Sequence, residues 1–326
     1  MADTPTKVAD VIVPERFNAY YREQTTRVNA LFQSGIMAPV DDVSFGGEGG
    51  TEIHMPFWKA LGERAQLLDD GSNLEIKKIG TGQDKAVLHA RALVYGGTDL
   101  SGDLAGDDPM TAIGAGIAEN WSYEYNMVVL ATLKGALGAL AAESAPKNVL
   151  DISSLSGSAA YIDGDAFIDA GQKLGDHKDR IAGVLMHSAV EAFLQKNDLI
   201  ESIRDSDGQW LYNTFQGKRV IVDDANAPTS SVYDTWLFGP GALGYGEGSP
   251  KNPLEMGRLP LTGGGQDFLV TRRHFVIHPR GIAWDPASGV PAKQTPSDTE
   301  LANAANWSRV WEPKNIRVVR IRHKIG

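Results

Sequence analysis

The residues through which this chain could do chemistry are its seven histidines, several paired acids and two glycine-rich loops. His274 and His278 stand four apart, the spacing that sets two imidazoles on one helix face above a metal ion. They lie in Val270-Thr271-Arg272-Arg273-His274-Phe275-Val276-Ile277-His278-Pro279, whose β-branched and aromatic content and closing proline predict a strand. On a strand, four residues separate side chains by about 13 Å, too far to share an ion. No glutamate stands beside His274 to act as a base. Gly80-Thr81-Gly82 and Gly263-Gly264-Gly265 look like phosphate cradles, but neither is followed by the lysine–hydroxyl pair of a P-loop, so both are read as turns.

Ser156 and Ser158 flank Gly157 without forming Gly-x-Ser-x-Gly, and Tyr233-Asp234-Thr235-Trp236 lacks the glycine of an aspartic-protease loop. The pairs Asp69/Asp70, Asp107/Asp108 and Asp223/Asp224 fall where helix caps and turns place acids. No nucleophile, base and orienter assemble. The expectation is a chain with no catalytic residue, no metal site and no cofactor. An α+β enzyme with a dispersed site is the alternative, because catalytic groups can converge from distant positions.

The elements that would position these residues read as follows. Pro14 suits a helix start, and Phe17, Tyr20, Tyr21, Val28, Leu31 and Phe32 recur at helical spacing, giving a short amphipathic helix in an N-terminal arm. Gly46-Gly47-Glu48-Gly49-Gly50 is a hinge by composition. Thr51 to Phe57 alternates like a strand, and Lys85 to Tyr95 is a second extended run. The polar stretch between them predicts a long two-stranded excursion with no core of its own, which makes sense if it lies on another molecule. Asp107-Asp108-Pro109 then caps a helix running to about Glu143, roughly 50 Å long at 1.5 Å per residue. Gly114, Gly116, Gly135 and Gly138 within it imply a close backbone approach, a break or a bend. Further strands are expected at 181–186, 219–224, 236–239, 267–283 and 315–323, with a short helix at 188–196.

Composition sets bounds. The 326 residues are 42% hydrophobic and 22% charged, enough for one large or two moderate domains with a sizeable core. The absence of cysteine excludes disulfides, thiolate zinc sites, iron–sulfur clusters and cysteine nucleophiles. Met1 to Asp10 carries no basic-then-apolar signal, and the longest apolar stretch, Met127 to Ala142, is interrupted by Thr132, Lys134 and two glycines. A soluble protein made in the cytoplasm, with no membrane partner, is expected. The net charge of −10 argues against a sequence-specific reader of DNA.

Five phrases in order carry a resemblance: Leu104-Ala105-Gly106-Asp107-Asp108-Pro109; Gly217-Lys218-Arg219-Val220-Ile221-Val222-Asp223-Asp224; Leu237 to Gly246; Arg272 to Gly281; and Glu300-Leu301-Ala302-Asn303-Ala304-Ala305-Asn306-Trp307. Together with the order of elements, they resemble the major capsid proteins of tailed bacteriophages, which have the Hong Kong 97-like fold. The resemblance implies an α+β chain with an N-terminal arm at 1–45 and an extended loop with its return strand at 46–95. It implies a peripheral domain from 96–149 and 266–326, built on the long spine helix, and an axial domain at 150–265. Subunits would form pentamers and hexamers of an icosahedral virion shell, assembled in the host cytoplasm. The shell would enclose double-stranded DNA without sequence-specific contact, and an acidic inner wall would not adhere to packaged phosphates. An encapsulin-like nanocompartment shell, which shares the fold, is the nearer alternative.

Only about 45 residues precede the loop, so a separate scaffolding protein is expected in place of a long cleaved segment, with a portal and possible decoration proteins as further partners. For such a subunit the residues that matter are contact surfaces. Candidates are Phe17 and Tyr21 on the arm, Phe57 and Trp58 on the loop, Phe238 and Tyr245 on the axial turns, and Arg317 and Arg320 on the last strand. Those arginines would meet acids of a neighbour or DNA. Plain packing within the same chain is the competing reading for each.

Overall fold

Pro109 does open a long helix, and both large sheets contribute side chains to the core around it. The computed structural model describes residues 37–39, 50–61, 64–67, 75–105, 109–204, 210–261 and 264–326. The expected arm helix, the hinge at 46–49 and the capping acids Asp107 and Asp108 lie outside the described residues.

The chain begins with strands β1 (Met37–Pro39), β2 (Glu52–Trp58), β3 (Thr81–Val87) and β4 (His89–Thr98), followed by helices α1 (Asp99–Ala105) and α2 (Pro109–Ala141). Next come β5 (Val149–Asp151), α3 (Gly164–Gln172), β6 (Gly183–Met186), α4 (Ser188–Lys196), β7 (Ile200–Arg204), β8 (Trp210–Phe215) and β9 (Lys218–Val222). The last third contains β10 (Tyr233–Phe238), β11 (Leu243–Gly248), β12 (Leu254–Leu259), β13 (Gln266–Pro279) and β14 (Ile282–Trp284). It ends with α5 (Asp298–Leu301), β15 (Trp307–Arg309) and β16 (Val318–His323). The mixture is α+β.

A five-stranded sheet is organised by β13, which pairs antiparallel with β4, β11 and β12, while β1 joins parallel beside β11. A seven-stranded sheet runs β5-β16-β10-β6-β9-β8-β7. Its centre is buried on both faces, and the two-residue period of a strand divides its side chains between two cores. Leu185, Trp236, Phe238 and Val318 join the core that contains α2, Phe275 and Ile277. Val184, Met186, Leu237, Val319 and Ile321 join the core under α3 and α4, with Phe167, Val190 and Leu194.

Helix α2 is continuous, so its glycines do not mark a break. Two of them permit close approach. A Cβ on Gly135 would sit 1.9 Å from the Leu301 carbonyl oxygen and 2.6 Å from Trp307 Nε1; one on Gly138 would be 3.1 Å from Ala304 Cβ. The segment 301–307 is therefore laid directly on the helix, and the Trp307 indole donates to Leu301 O at 2.8 Å.

Three features differ from the sequence expectation. The run Lys85 to Tyr95 is two strands: β3 pairs with β2, and after Leu88 the chain leaves as β4 to pair with β13. The run 267–283 likewise divides at Arg280-Gly281, where Gly281 takes φ +88 and any Cβ would meet the Trp311 ring at 2.8 Å. The segment Val318–His323, which the resemblance groups in one domain with the spine helix, is hydrogen-bonded in the seven-stranded sheet while Val318 packs in the α2 core, and β11 and β12 pair with β13. Sheet pairing here follows long-range register across position 265.

Two tests follow from this packing. Gly135→Ala should destabilise the subunit by at least about 2 kcal/mol through overpacking, while Gly114→Ala, with nothing near its Cβ position, should stabilise it by about 0.5–1 kcal/mol; urea denaturation reads both. The second test concerns pH. Burial pushes the His89 imidazole down to about 3 and that of His323 down to about 4, from an ordinary 6.5. Both are neutral when folded, so the unfolded chain binds more protons as pH falls below 6.5. Stability should be complete above that pH and decline from there toward pH 4, and His89→Leu should flatten part of the slope in urea midpoints measured across the range.

Candidate intersubunit surfaces

The β2–β3 hairpin starts from a buried polar anchor. Asp84 accepts from the backbone N–H of Lys85 through Oδ1 and from that of Gly281 through Oδ2, both at 3.0 Å. Its Oδ2 also lies 3.0 Å from His278 Nε2, and both side chains are almost fully enclosed. This ties the root of the hairpin to the end of β13. Along β2 the strand alternation turns Ile53, Met55 and Phe57 toward the chain and Glu52, His54, Pro56 and Trp58 away. Phe57 lies across Gly82, its register partner, and meets Trp311 edge-on at 6.1 Å.

Beyond that contact several apolar side chains are largely exposed among the described residues. Trp58 is 67% exposed, Leu67 93% and Ile76 102%. The outer part is still held together: Gln66 Nε2 donates to Glu75 O, and Glu75 N to Gln66 Oε1, both at 2.8 Å.

The other candidate contacts are placed as follows. Phe17 and Tyr21 lie outside the described residues. Phe238 is 0% exposed and belongs to the α2 core, because its position on β10 points it inward with Trp236. Tyr245 is half-buried, donates to Glu247 Oε1 at 2.6 Å and meets Tyr125 edge-on. Burial, together with that carboxylate, raises its hydroxyl well above the ordinary tyrosine value.

Arg317 donates to Pro240 O at 2.7 Å. Arg320 is internal: it makes a two-pronged contact with Asp234 at 2.9 and 2.6 Å and lies over the Trp236 ring. Its charge is satisfied within the subunit because β16 sits between β5 and β10 and is not a free edge. The expected pairing of Arg320 with a neighbour's acids or with DNA therefore gives way to an internal ion pair.

Other exposed apolar positions went unnoticed in the sequence. Leu254, Met256, Leu259 and Leu261 stand on and just after β12, and Ile203, Leu211 and Tyr212 on the β7–β8 hairpin. The alternation Leu254-Glu255-Met256 was a visible strand signal. Its exposure was not, because nothing local says which face of β12 is left uncovered.

His274 and His278 lie on β13, as the strand reading required. Among the described residues, no group of three His, Asp or Glu side chains converges as a metal would need, and no helix is long and apolar enough to cross a membrane. What the surface offers is a rigidly rooted projection and apolar patches, which suit many-copy binding. The Arg320–Asp234 pair allows a direct check that β16 serves its own subunit. Asp234→Ala should cost about 3–5 kcal/mol by leaving a buried cation unpaired, and adding Arg320→Met should recover most of that loss in urea denaturation.

Comparison with known proteins bears on what such a subunit builds. No family model matches the chain. It is 43% identical over 329 residues to the major capsid protein of Bacillus phage SPP1, covering 98% of each chain. Among solved structures it is similar to the capsid of cyanophage Pam1, with TM-score 0.57 at 10% identity, covering 100% of this chain and 99% of that one. It is also similar to the capsid of a native GTA particle, with TM-score 0.55 at 12% identity and 96% of each chain covered. The capsid of cyanophage P-SCSP1u gives TM-score 0.55 at 12% identity, covering 86% of this chain and 94% of that one. The structural likenesses establish the tailed-phage, Hong Kong 97-like capsid fold, and the sequence identity over nearly the whole length establishes the family: this chain belongs to the phage major capsid proteins.

Proposed function

We propose that this major capsid protein builds an icosahedral head from pentamers and hexamers, with the β2–β3 hairpin of each subunit lying on its neighbour. The observation that carries this reading is the hairpin itself. It is rooted at Asp84, meets Trp311 through Phe57, and then presents Trp58, Leu61, Leu67 and Ile76 as largely exposed side chains. An exposed apolar projection of this kind is unfavourable in an isolated subunit and favourable once covered. Each contact can be modest, because symmetric copies reinforce one another.

In this reading the five-stranded sheet with α2 takes the peripheral position, and the seven-stranded sheet with α3 and α4 lies toward the capsomer axis. The head encloses double-stranded DNA without sequence-specific contact. The net charge of −10 supports that, because acidic surface does not hold phosphates. Assembly takes place in the host cytoplasm with separate scaffolding and portal proteins, and no catalytic step is involved.

Electron microscopy of the purified protein tests the proposal. Closed shells or capsomer rings are the expected result, and a compact monomer or dimer would overturn it. Trp58→Ser combined with Leu67→Ser should leave the subunit's melting transition in place while lowering the yield of shells by about tenfold or more, as loss of an aromatic anchor does.

A further inference from the structure

The groove at the root of the hairpin is anomalous for so acidic a chain. It has a volume of about 660 Å3 and lies between the end of β2 and the return of the chain from β15 toward β16. Phe57, Trp58 and Trp311 are among its lining residues, as are Lys59, Arg180, Arg309 and Arg317, with Glu312 the one acid. Internal partners account for only part of this charge. Arg309 pairs with Glu143 at 2.7 Å, and Arg317 donates to the Pro240 carbonyl. Lys59 and Arg180 are exposed and have no acidic partner among the described residues. An aromatic lining beside unpaired cations suits an occupant that carries apolar and anionic groups together.

Helix α3 presents such a surface. Its start is fixed by Asp163, which accepts from Ala166 N at 2.8 Å, and its inner face buries Ala166, Phe167 and Ala170. The outer face carries Asp165, Ile168 and Asp169, spaced three and four apart and therefore in one stripe. Ile168 is 59% exposed, and neither acid is paired with a cation among the described residues.

We propose that the groove receives the Asp165–Ile168–Asp169 stripe of a second copy of this chain. Ile168 packs on the aromatic lining while the two carboxylates meet Lys59 and Arg180. Groove and stripe are different patches, so the contact is heterologous: each α3 enters the next copy's groove, and repetition closes a ring instead of stopping at a dimer. It also offsets the repulsion that a net charge of −10 imposes between copies. This inference rests on the shell reading above and adds the pair of surfaces that joins neighbours. A basic, aromatic cleft can also hold single-stranded nucleic acid; the unpaired acids and exposed isoleucine of α3 favour the second copy.

Charge exchange tests it, using the full chain and sedimentation velocity at low and high salt. Wild type is run first, and failure to assemble there would remove the shell reading and this proposal with it. With wild type assembling, Lys59→Glu/Arg180→Glu should reduce the assembled fraction by about tenfold or more, as should Asp165→Lys/Asp169→Lys. Combining all four substitutions should restore assembly. These positions are exposed, and an unchanged melting transition confirms that each variant is folded. Normal assembly by the groove-reversed chain would overturn the proposal, as would a fourfold variant that stays unassembled. Normal assembly coupled with lost binding of an oligothymidylate probe would assign the groove to nucleic acid instead.

Discussion

The burial of most of the C-terminal half of α2 is the constraint on which the core depends. Val128, Val129, Leu133, Ala136, Leu137 and Leu140 are all enclosed, while a narrow face through Met127, Lys134 and Ala141 is partly open. A helix with so wide an apolar surface must be packed on several sides. Here Phe275 and Ile277 come from the five-stranded sheet, Leu185, Trp236 and Val318 from the seven-stranded sheet, and Leu301 and Trp307 from the segment between β14 and β16. One continuous core therefore joins both sheets. Gly135 and Gly138 are the local condition for it, because side chains there would hold the 301–307 segment away.

Polar side chains fix the junctions that apolar packing leaves undirected. Asn148, buried with φ +54, places its side-chain amide nitrogen 3.0 Å from each of the carbonyls of Pro313, Ile316 and Val318, which share its two N–H donors, and so guides the chain into β16. Asn126 on α2 donates to Asp223 at the end of β9, linking the helix to the seven-stranded sheet. Asp84 does the same for the hairpin. Buried groups of this kind are costly when unpaired, so they favour one arrangement over near alternatives. Rigid roots matter to a shell subunit because a projection bound elsewhere must leave its own chain at a reproducible angle. The exposed apolar residues are concentrated on hairpins and edge strands, and the interior is closed.

Much of this was legible in local pattern. Proline at a helix start and the alternation of Thr51 to Phe57 each correspond to an element found at nearly the expected bounds. Ser188–Lys196 was found as read. The candidate contacts were less readable. Phe238 and Trp58 are both large aromatics at strand ends, yet one is wholly enclosed and the other stands in solvent. From the sequence Arg320 is a cation open to a neighbour's acids or DNA, and only the antiparallel register that puts Arg320 opposite Trp236, next to Asp234, shows its charge already neutralised.

By itself, the sequence determined the types of the elements, their order and the family phrases, because these depend on residues close together in the chain. It also excluded cysteine chemistry outright. The tertiary structure decided which strands share a sheet, so that β16 lies with β10 while β11 and β12 lie with β13. It likewise decided which apolar side chains remain uncovered and which cations remain unpaired. Those outcomes depend on contacts between residues well separated in the chain, as β10 and β16 are, where register and burial, which no local pattern encodes, set the result.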